Sequence, residues 1–441
     1  MVVNLVKPIP NNKARHGVRL LVNVAGAFGA RGINLVIAFL TVPLALAGLG
    51  AHDYGIFAVI LSAATFIAYA DFGMGLAMVN PIATSEARGD HAETRRLISD
   101  TWSLLLCIAA VIFVVGAVTI GAFVLTETLI ADNILAWLVL LAGVVIGLPA
   151  AITQRVLFAL QRSYEANLWM SAGRVASLGG VYAAYQLHLG LWAYVFAMLC
   201  LPALVGWLNT ARLFRYNRRD ISPTFCVSAA TMRRLMPEGL RYTILQIGPY
   251  IETGFDVVLI GSMLGPSQAT SYDLITRAFN YIPALASVGV MPLWPAIAGA
   301  IASGNAQWAE KIRLLSSVAL LVVTIIPTIL LAIFHTQVLH LWTGLEIVFP
   351  MLSLAAFGFV AVSISFIGLR QSSILATEGP KRLFYLQIVF IAVLIPSKIA
   401  SIWLFGIFAL PLVTAFVYFF RYFAVFYIEK NVPHHVREQV L

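Results

Sequence analysis

Apolar runs of about twenty residues or more recur from residue 20 almost to the C-terminus, and each is long enough to cross the hydrocarbon layer of a bilayer as a helix. A chain made mostly of such runs has lipid as its preferred solvent. The composition agrees, with 61% hydrophobic and only 11% charged residues, and a soluble globular fold is excluded. The sequence therefore reads as an all-α integral membrane protein. The runs lie near 20–46, 54–79, 98–125, 134–160, 166–188, 190–214, 241–263, 268–299, 314–335, 345–369, 383–400 and 402–427, a working count of about twelve transmembrane helices.

The charges give these spans a direction. There are 28 Lys and Arg against 19 Asp and Glu, a formal charge of +9. In so apolar a chain a basic excess marks cytoplasmic membrane loops rather than a nucleic-acid surface, so nucleic acid is not an expected partner. All but five of the basic residues fall in the N-terminal segment, in or at the edges of every second connection, or, as Arg421, Lys430 and Arg437, at the cytoplasmic end of the last run and in the tail, while the connections near 47–53, 126–133, 189, 264–267, 336–344 and 401 carry none. An even number of spans with both termini cytoplasmic follows. The longest hydrophilic connection, 215–240, divides the chain into an N-terminal six-helix bundle (1–214), a cytoplasmic linker and a C-terminal six-helix bundle with a cytoplasmic tail (241–441). An internal echo supports two related halves: Gly48-Leu49-Gly50 precedes Tyr54, and Met263-Leu264-Gly265 precedes Tyr272. Two bundles about a pseudo-twofold axis are a recurrent transporter architecture, because the cleft between them can open to either side.

Five basic residues remain inside the spans: Arg31, Arg155, Arg174, Arg277 and Lys398. Arg155 and Lys398 stand close enough to helix ends to carry their charge to the interface. Arg31 and Arg277 lie about three turns and two and a half turns into their helices, near mid-membrane, where a cation needs a partner or a water-filled cavity. Arg174 is intermediate. Cavity lining is the reading adopted for these three, against a role as struts between helices. Asn34 and Asn280 are less than one turn from Arg31 and Arg277 and would line the same wall. Among the acids, Asp273 is four residues from Arg277 and can neutralise it, Asp71 sits in the cytoplasmic third of its span, and Glu252 and Asp256 share one helix face. Two carboxylates facing a dry cavity would take up a proton or hold a cation. Tyr54 reads as an interfacial aromatic, and Pro43, Pro249, Pro283, Pro292 and Pro295 as places to kink.

Other chemistry is not legible. No GxxxxGK[ST] phosphate loop occurs, so ATP-driven pumping is not expected. The scattered Cys107, Cys200 and Cys226 and the isolated histidines give no disulfide framework and no metal-ligand spacing. No enzyme active site is expected, because the loops are mostly short, whereas a membrane-embedded transferase would present catalytic acids near a sizeable one.

The segment Leu49-Gly50-Ala51-His52-Asp53-Tyr54-Gly55-Ile56-Phe57 is followed after one helix by Tyr69-Ala70-Asp71-Phe72-Gly73-Met74-Gly75. Then come Asp90, Glu93, Arg95-Arg96-Leu97-Ile98 and Phe158-Ala159-Leu160-Gln161-Arg162, and in the second half Asp256 to Gly265 ahead of Tyr272 and Arg277. In this order the chain resembles the polysaccharide transport family, the O-antigen and exopolysaccharide flippases of the multidrug/oligosaccharidyl-lipid/polysaccharide exporter superfamily. Beyond about residue 300 the likeness is one of hydropathy and helix count. The resemblance implies a V-shaped pair of bundles in the bacterial inner membrane that moves undecaprenyl-pyrophosphate-linked oligosaccharide from the cytoplasmic to the periplasmic leaflet. It further implies alternating access coupled to a proton or sodium gradient, no other cofactor, and work beside a polysaccharide polymerase or export machinery. The family's cationic cavity residues map onto Arg31 and Arg277, less securely onto Arg174, and Asp71, Glu252 and Asp256 are the coupling candidates. A cation-coupled exporter of drugs or of another lipid-linked precursor is the alternative.

Overall fold

The computed structural model describes residues 13–125, 133–226, 228–290, 306–378 and 381–430, and within them the chain is helical almost throughout. Expected kink sites Pro292 and Pro295, the connection 126–132, the end of the run 268–299 and both chain ends lie outside the described residues. Six described stretches are long and apolar enough to cross a membrane: Gly29–Asp71, His91–Ala122, Ile134–Ala159, Leu191–Arg215, Leu320–Thr343 and Lys381–Ile428. This is an all-α, multi-spanning membrane fold. The first and last stretches, 43 and 48 residues long, each hold two of the expected runs, since about 20 residues suffice for one crossing.

Local chemistry shows where they break. Helix α1 (Lys13–Ala68) is interrupted at Gly50, whose φ of 73° and ψ of 170° are not helical. A backbone with positive φ is cheap only without a Cβ, so glycine is what the break requires. The echoed Gly265 also has positive φ, 96°, and separates α10 (Phe255–Met263) from α11 (Pro266–Val290). The two turns pack together: Thr270 Oγ1 donates to the Ala51 carbonyl at 2.5 Å, and a Cβ on Gly55 would lie 2.0 Å from the Pro266 carbonyl oxygen.

After α1 the chain makes a 3-10 turn, Tyr69–Asp71, and two successive left-handed residues, Phe72 and Gly73. Two short helices, α2 (Met74–Ala77) and α3 (Val79–Ala87), then lead into α4 (His91–Leu125). Helix α5 (Ile134–Ala150) is followed by α6 (Ile152–Ala159), α7 (Ser163–Gln186) and α8 (Leu191–Ala211). Helices α7 and α8 pack closely on each other and on α1 and α5.

The 215–240 connection is more ordered than a hydrophilic linker suggests. It begins in a π-helical turn, Arg212–Asn217, and from Ala229 it is already helix α9 (Ala229–Pro249), where Ser228 Oγ accepts from the Thr231 amide at 3.4 Å. Arg218 holds its middle, donating to Glu86 at 2.9 Å and Asp220 at 2.7 Å. The Arg218 hydrogen bond holds the Asp220 carboxyl below the usual carboxylate range. A second π turn, Tyr250–Gly254, joins α9 to α10. The remaining helices are α12 (Ala306–Thr343), α13 (Met351–Glu378), α14 (Lys381–Phe405) and α15 (Leu410–Lys430), the last two separated by a 3-10 turn at Gly406–Ala409.

The Gly55 contact sets a test. Gly55→Ala should destabilise the detergent-purified protein by about 1–3 kcal/mol, the usual cost of overpacking. Gly29→Ala, where a Cβ would meet nothing within 4 Å, should leave its thermal unfolding midpoint unchanged.

Candidate functional site: a cationic cavity between α1, α7 and α11

Helices α1, α7 and α11 enclose a cavity of about 460 Å³ whose wall includes Arg31, Asn34, Thr41, Ser177, Arg174 and Arg277. A second space of about 620 Å³ adjoins it. The two share Leu61, Met170, Arg174, Met198 and Arg277, and the second adds Asn280, Thr253, Trp169 and Asp273. Three arginines and both asparagines singled out by sequence position thus converge from three helices. Asp273 is the one carboxylate among the described lining residues, so the wall carries a net positive charge.

Arg277 is held in place. Its Nε donates to Asp273 Oδ2 at 2.6 Å, and the Tyr54 hydroxyl donates to the same oxygen at 3.0 Å. Tyr54 is therefore not an interfacial aromatic: it is 1% exposed and ties α1 to α11. Both engage the same carboxylate oxygen, and 35% of the Arg277 side chain remains exposed where it lines the two spaces. Arg174 makes no side-chain hydrogen bond or ion pair among the described residues, so its five donors have no protein acceptor. Asn34 Oδ1 is buried with no hydrogen-bond partner, an acceptor on the same wall. Cationic donors with one unused acceptor suit an anionic, hydroxyl-bearing ligand.

The coupling candidates have other surroundings. Glu252 and Asp256, each 2% exposed, line neither space. Instead of facing one another across a dry cavity, each has its own cation. Asp256 accepts from Lys398 Nζ at 2.6 Å and from the Tyr272 hydroxyl at 2.7 Å. Glu252 accepts from Arg421, from Tyr418 and from Gln387 Nε2 at 2.9 Å. Lys398 also donates to the Ile251 and Glu252 carbonyls at 3.0 and 2.7 Å. These belong to the π turn Tyr250–Gly254, where the shift from i+4 to i+5 bonding disturbs the regular ladder.

Two readings of position are corrected here. Lys398 does not reach the interface: it is 0% exposed, because a buried carboxylate and two carbonyls meet its ammonium where it stands. Arg421, counted with the cytoplasmic end of its run, is 5% exposed against Glu252. Helix position gives depth, but neither case could be seen without knowing which helices are neighbours. The one sequence signal was the pair of acids Glu252 and Asp256 in an apolar run, which needed cations from elsewhere. Asp71 and Arg155 stand apart from both groups and line a third space of about 360 Å³.

The family described as polysaccharide biosynthesis protein matches residues 20–301, more than half of the chain. No curated protein matches the sequence. Among solved structures, a multidrug resistance MATE family transporter of the MOP superfamily in an inward-facing conformation matches with a TM-score of 0.71 at 15% identity, over 92% of this chain and 96% of that one. An outward-facing MATE family transporter gives 0.65 at 14%, over 92% and 94%. A MOP superfamily transporter from Pyrococcus furiosus, described as having a binding pocket of reverse polarity that suggests a different function, gives 0.58 at 16%, over 94% of each chain. At these identities the likeness is one of fold: the chain has the MATE-type helical membrane architecture.

The buried pair generates an expectation. Lys398→Met leaves Asp256 without its cation and should cost roughly 3–5 kcal/mol, the usual range for breaking a buried ion pair. Adding Asp256→Asn to the same chain should recover part of that loss in thermal unfolding.

Proposed function

We propose that this chain, which belongs to the polysaccharide biosynthesis protein family, is a flippase that carries a diphosphate-linked oligosaccharide lipid across the bacterial inner membrane. The observation that carries the reading is the wall formed by Arg31, Arg174 and Arg277 with Asp273 as its one carboxylate among the described residues. Undecaprenyl pyrophosphate concentrates negative charge at the head of the lipid, and guanidinium groups offer planar paired donors to phosphate oxygens. Asn34 and Asn280 then face the first sugars, while the polyprenyl tail stays in lipid as the headgroup crosses. No covalent bond changes.

The same reading takes the chain as about twelve helices in two six-helix bundles, 1–214 and 241–441, with 215–240 as a cytoplasmic linker and both termini in the cytoplasm. The packing of the turn at Gly50 against the turn at Gly265 supports a pseudo-twofold relation, since each half supplies the same kind of glycine break to the contact. Alternating access then opens the cavity first to the cytoplasm and then to the periplasm, where a polymerase or export machinery takes the product. Coupling to a proton or sodium gradient falls to Asp71, Glu252 and Asp256. Of these, Asp71 has no cation within ion-pairing distance among the described residues, whereas a cation entering at Glu252 or Asp256 must displace Arg421 or Lys398.

The alternative, a cation-coupled exporter of drugs or of another lipid-linked precursor, draws on the multidrug transporters that share the fold. It fits the architecture as well as the flippase does. The reading favours a diphosphate lipid over a cationic drug because a net positive wall repels organic cations and attracts diphosphates.

The deciding measurement is the sidedness of a polyprenyl-diphosphate oligosaccharide in proteoliposomes. Arg277→Ala and Arg174→Ala should lower the flipping rate at least tenfold at equal insertion, with Arg277→Lys between them and the parent chain. Full activity of both Ala variants, or export of tetraphenylphosphonium by the parent chain, would overturn the reading. If the carboxylates couple transport to a gradient, imposing an inward proton or sodium gradient should raise the rate severalfold. Equal rates with and without both gradients would remove that role from Asp71, Glu252 and Asp256.

A further inference from the structure

The third space, about 360 Å³, continues the other two, sharing Thr65, Gly147, Ala151 and Leu199 with the second. Its wall carries Asp71, Arg155, Gln246 and Tyr69. Arg155 is therefore the next cation along three adjoining spaces, and its side chain makes no hydrogen bond or ion pair among the described residues. Gln246 Nε2 is a buried donor that also lacks a partner. Asp71 is partly spoken for, because its Oδ1 accepts from the Gly73 amide at 2.8 Å.

The local fold builds this arrangement. The left-handed pair Phe72 and Gly73 turns the chain sharply after Asp71, and Gly73 is pressed so close to α9 that a Cβ would lie 2.2 Å from the Gly239 carbonyl oxygen. Asp71 and Arg155 then flank Gly75. A Cβ there would come within 3.3 Å of Arg155 Cγ and 3.4 Å of Asp71 Oδ2, so the bare glycine leaves room for both side chains without bringing them into an ion pair. A strut would have closed that gap. An unclosed cation beside an unsatisfied amide donor, in a space open to the cargo cavity, is instead arranged for an acceptor that arrives from outside.

We propose that Arg155 and Gln246 form a second phosphate-binding station, which holds the diphosphate of the cargo on its way to or from the three-arginine wall. The inference rests on reading that wall as a diphosphate site, and it adds a stepped path to it. The ligand chemistry is phosphate oxygen, supplied by a lipid headgroup or by free pyrophosphate. Asp71 opposes the anion at this station, so its removal should have the opposite sign to removal of Arg155. A structural role for the pair predicts no such opposition.

The test is the thermal shift of the purified full chain with polyprenyl diphosphate in one arm and inorganic pyrophosphate in the other, sulfate at equal ionic strength serving as the control. Arg155→Gln should raise the half-saturating polyprenyl diphosphate at least fivefold, and Asp71→Asn should lower it. In proteoliposomes Arg155→Gln should raise the half-saturating cargo concentration at least fivefold, whereas the chief effect of Arg174→Gln is on the maximal rate. Should Arg155→Gln fail to insert, Asp71→Asn carries the test with the arginine untouched. Shifts of the same sign for both variants, or changes below twofold, would overturn the station. If that happens while Arg174→Gln still abolishes the response, the central site stands alone. No response of the parent chain to either ligand would overturn both readings. A response to inorganic pyrophosphate alone, lost in Arg155→Gln, would keep the station and overturn the lipid-linked cargo.

Discussion

A charge on a helix surrounded by hydrocarbon has two affordable settings, a partner of opposite sign or a space that admits water, and the organisation of this protein follows from how its few internal charges divide between them. Around α10, α14 and α15 every internal charge is closed: Lys398 meets Asp256, and Arg421 meets Glu252. Tyr272, Tyr418 and Gln387 add further hydrogen bonds to these networks, with the Arg421 Nε left as an unpaired donor. Along the spaces between α1, α7 and α11 the division goes the other way. Arg174 makes no side-chain hydrogen bond or ion pair among the described residues, nor does Arg155 in the adjoining space, and Arg277 shares a single carboxylate oxygen with Tyr54. One region is held together by its charges, and the other presents them.

Fold class was legible because lipid imposes a simple rule on sequence: a crossing helix needs an uninterrupted apolar run. The rule weakens where function begins. Stretches that meet it outright do not include α7 and α11, which carry Arg174 and the Asp273–Arg277 pair amid many small and polar residues. Position along the helix was legible too: counting residues put Arg31 and Arg277 near mid-membrane with Arg174 intermediate, and the structure brings the three to one wall. Rotation and neighbourhood were not. Glu252 and Asp256 do share a helix face, but only packing against α14 and α15 decides that the face meets Lys398 and Arg421 rather than a cavity. Tyr54 shows the same limit, because its partner lies 219 positions away.

Glycine placement links these levels. Gly50 and Gly265 break two helices and let the resulting turns meet. Gly73 and Gly75 do different work a short distance on, the first bending the backbone beneath α9 and the second leaving space for Asp71 and Arg155. The motif Tyr69 to Gly75, which in the sequence carried only a resemblance, is thus a piece of architecture that stops a helix and arranges a charge.

The π turn at Tyr250–Gly254 gives the closed region a mechanical property. A helix wound with one extra residue in a single turn can lose that residue from the winding without breaking its covalent path, and each residue of an α-helix accounts for about 100° of rotation. Relaxing this turn to ordinary α-helix would swing α10 about its own axis by roughly that angle relative to α9, carrying Asp256 off the Lys398 ammonium. The lysine is bonded to carbonyls of the turn itself, so any such rewinding would have to break those bonds together with the ion pair.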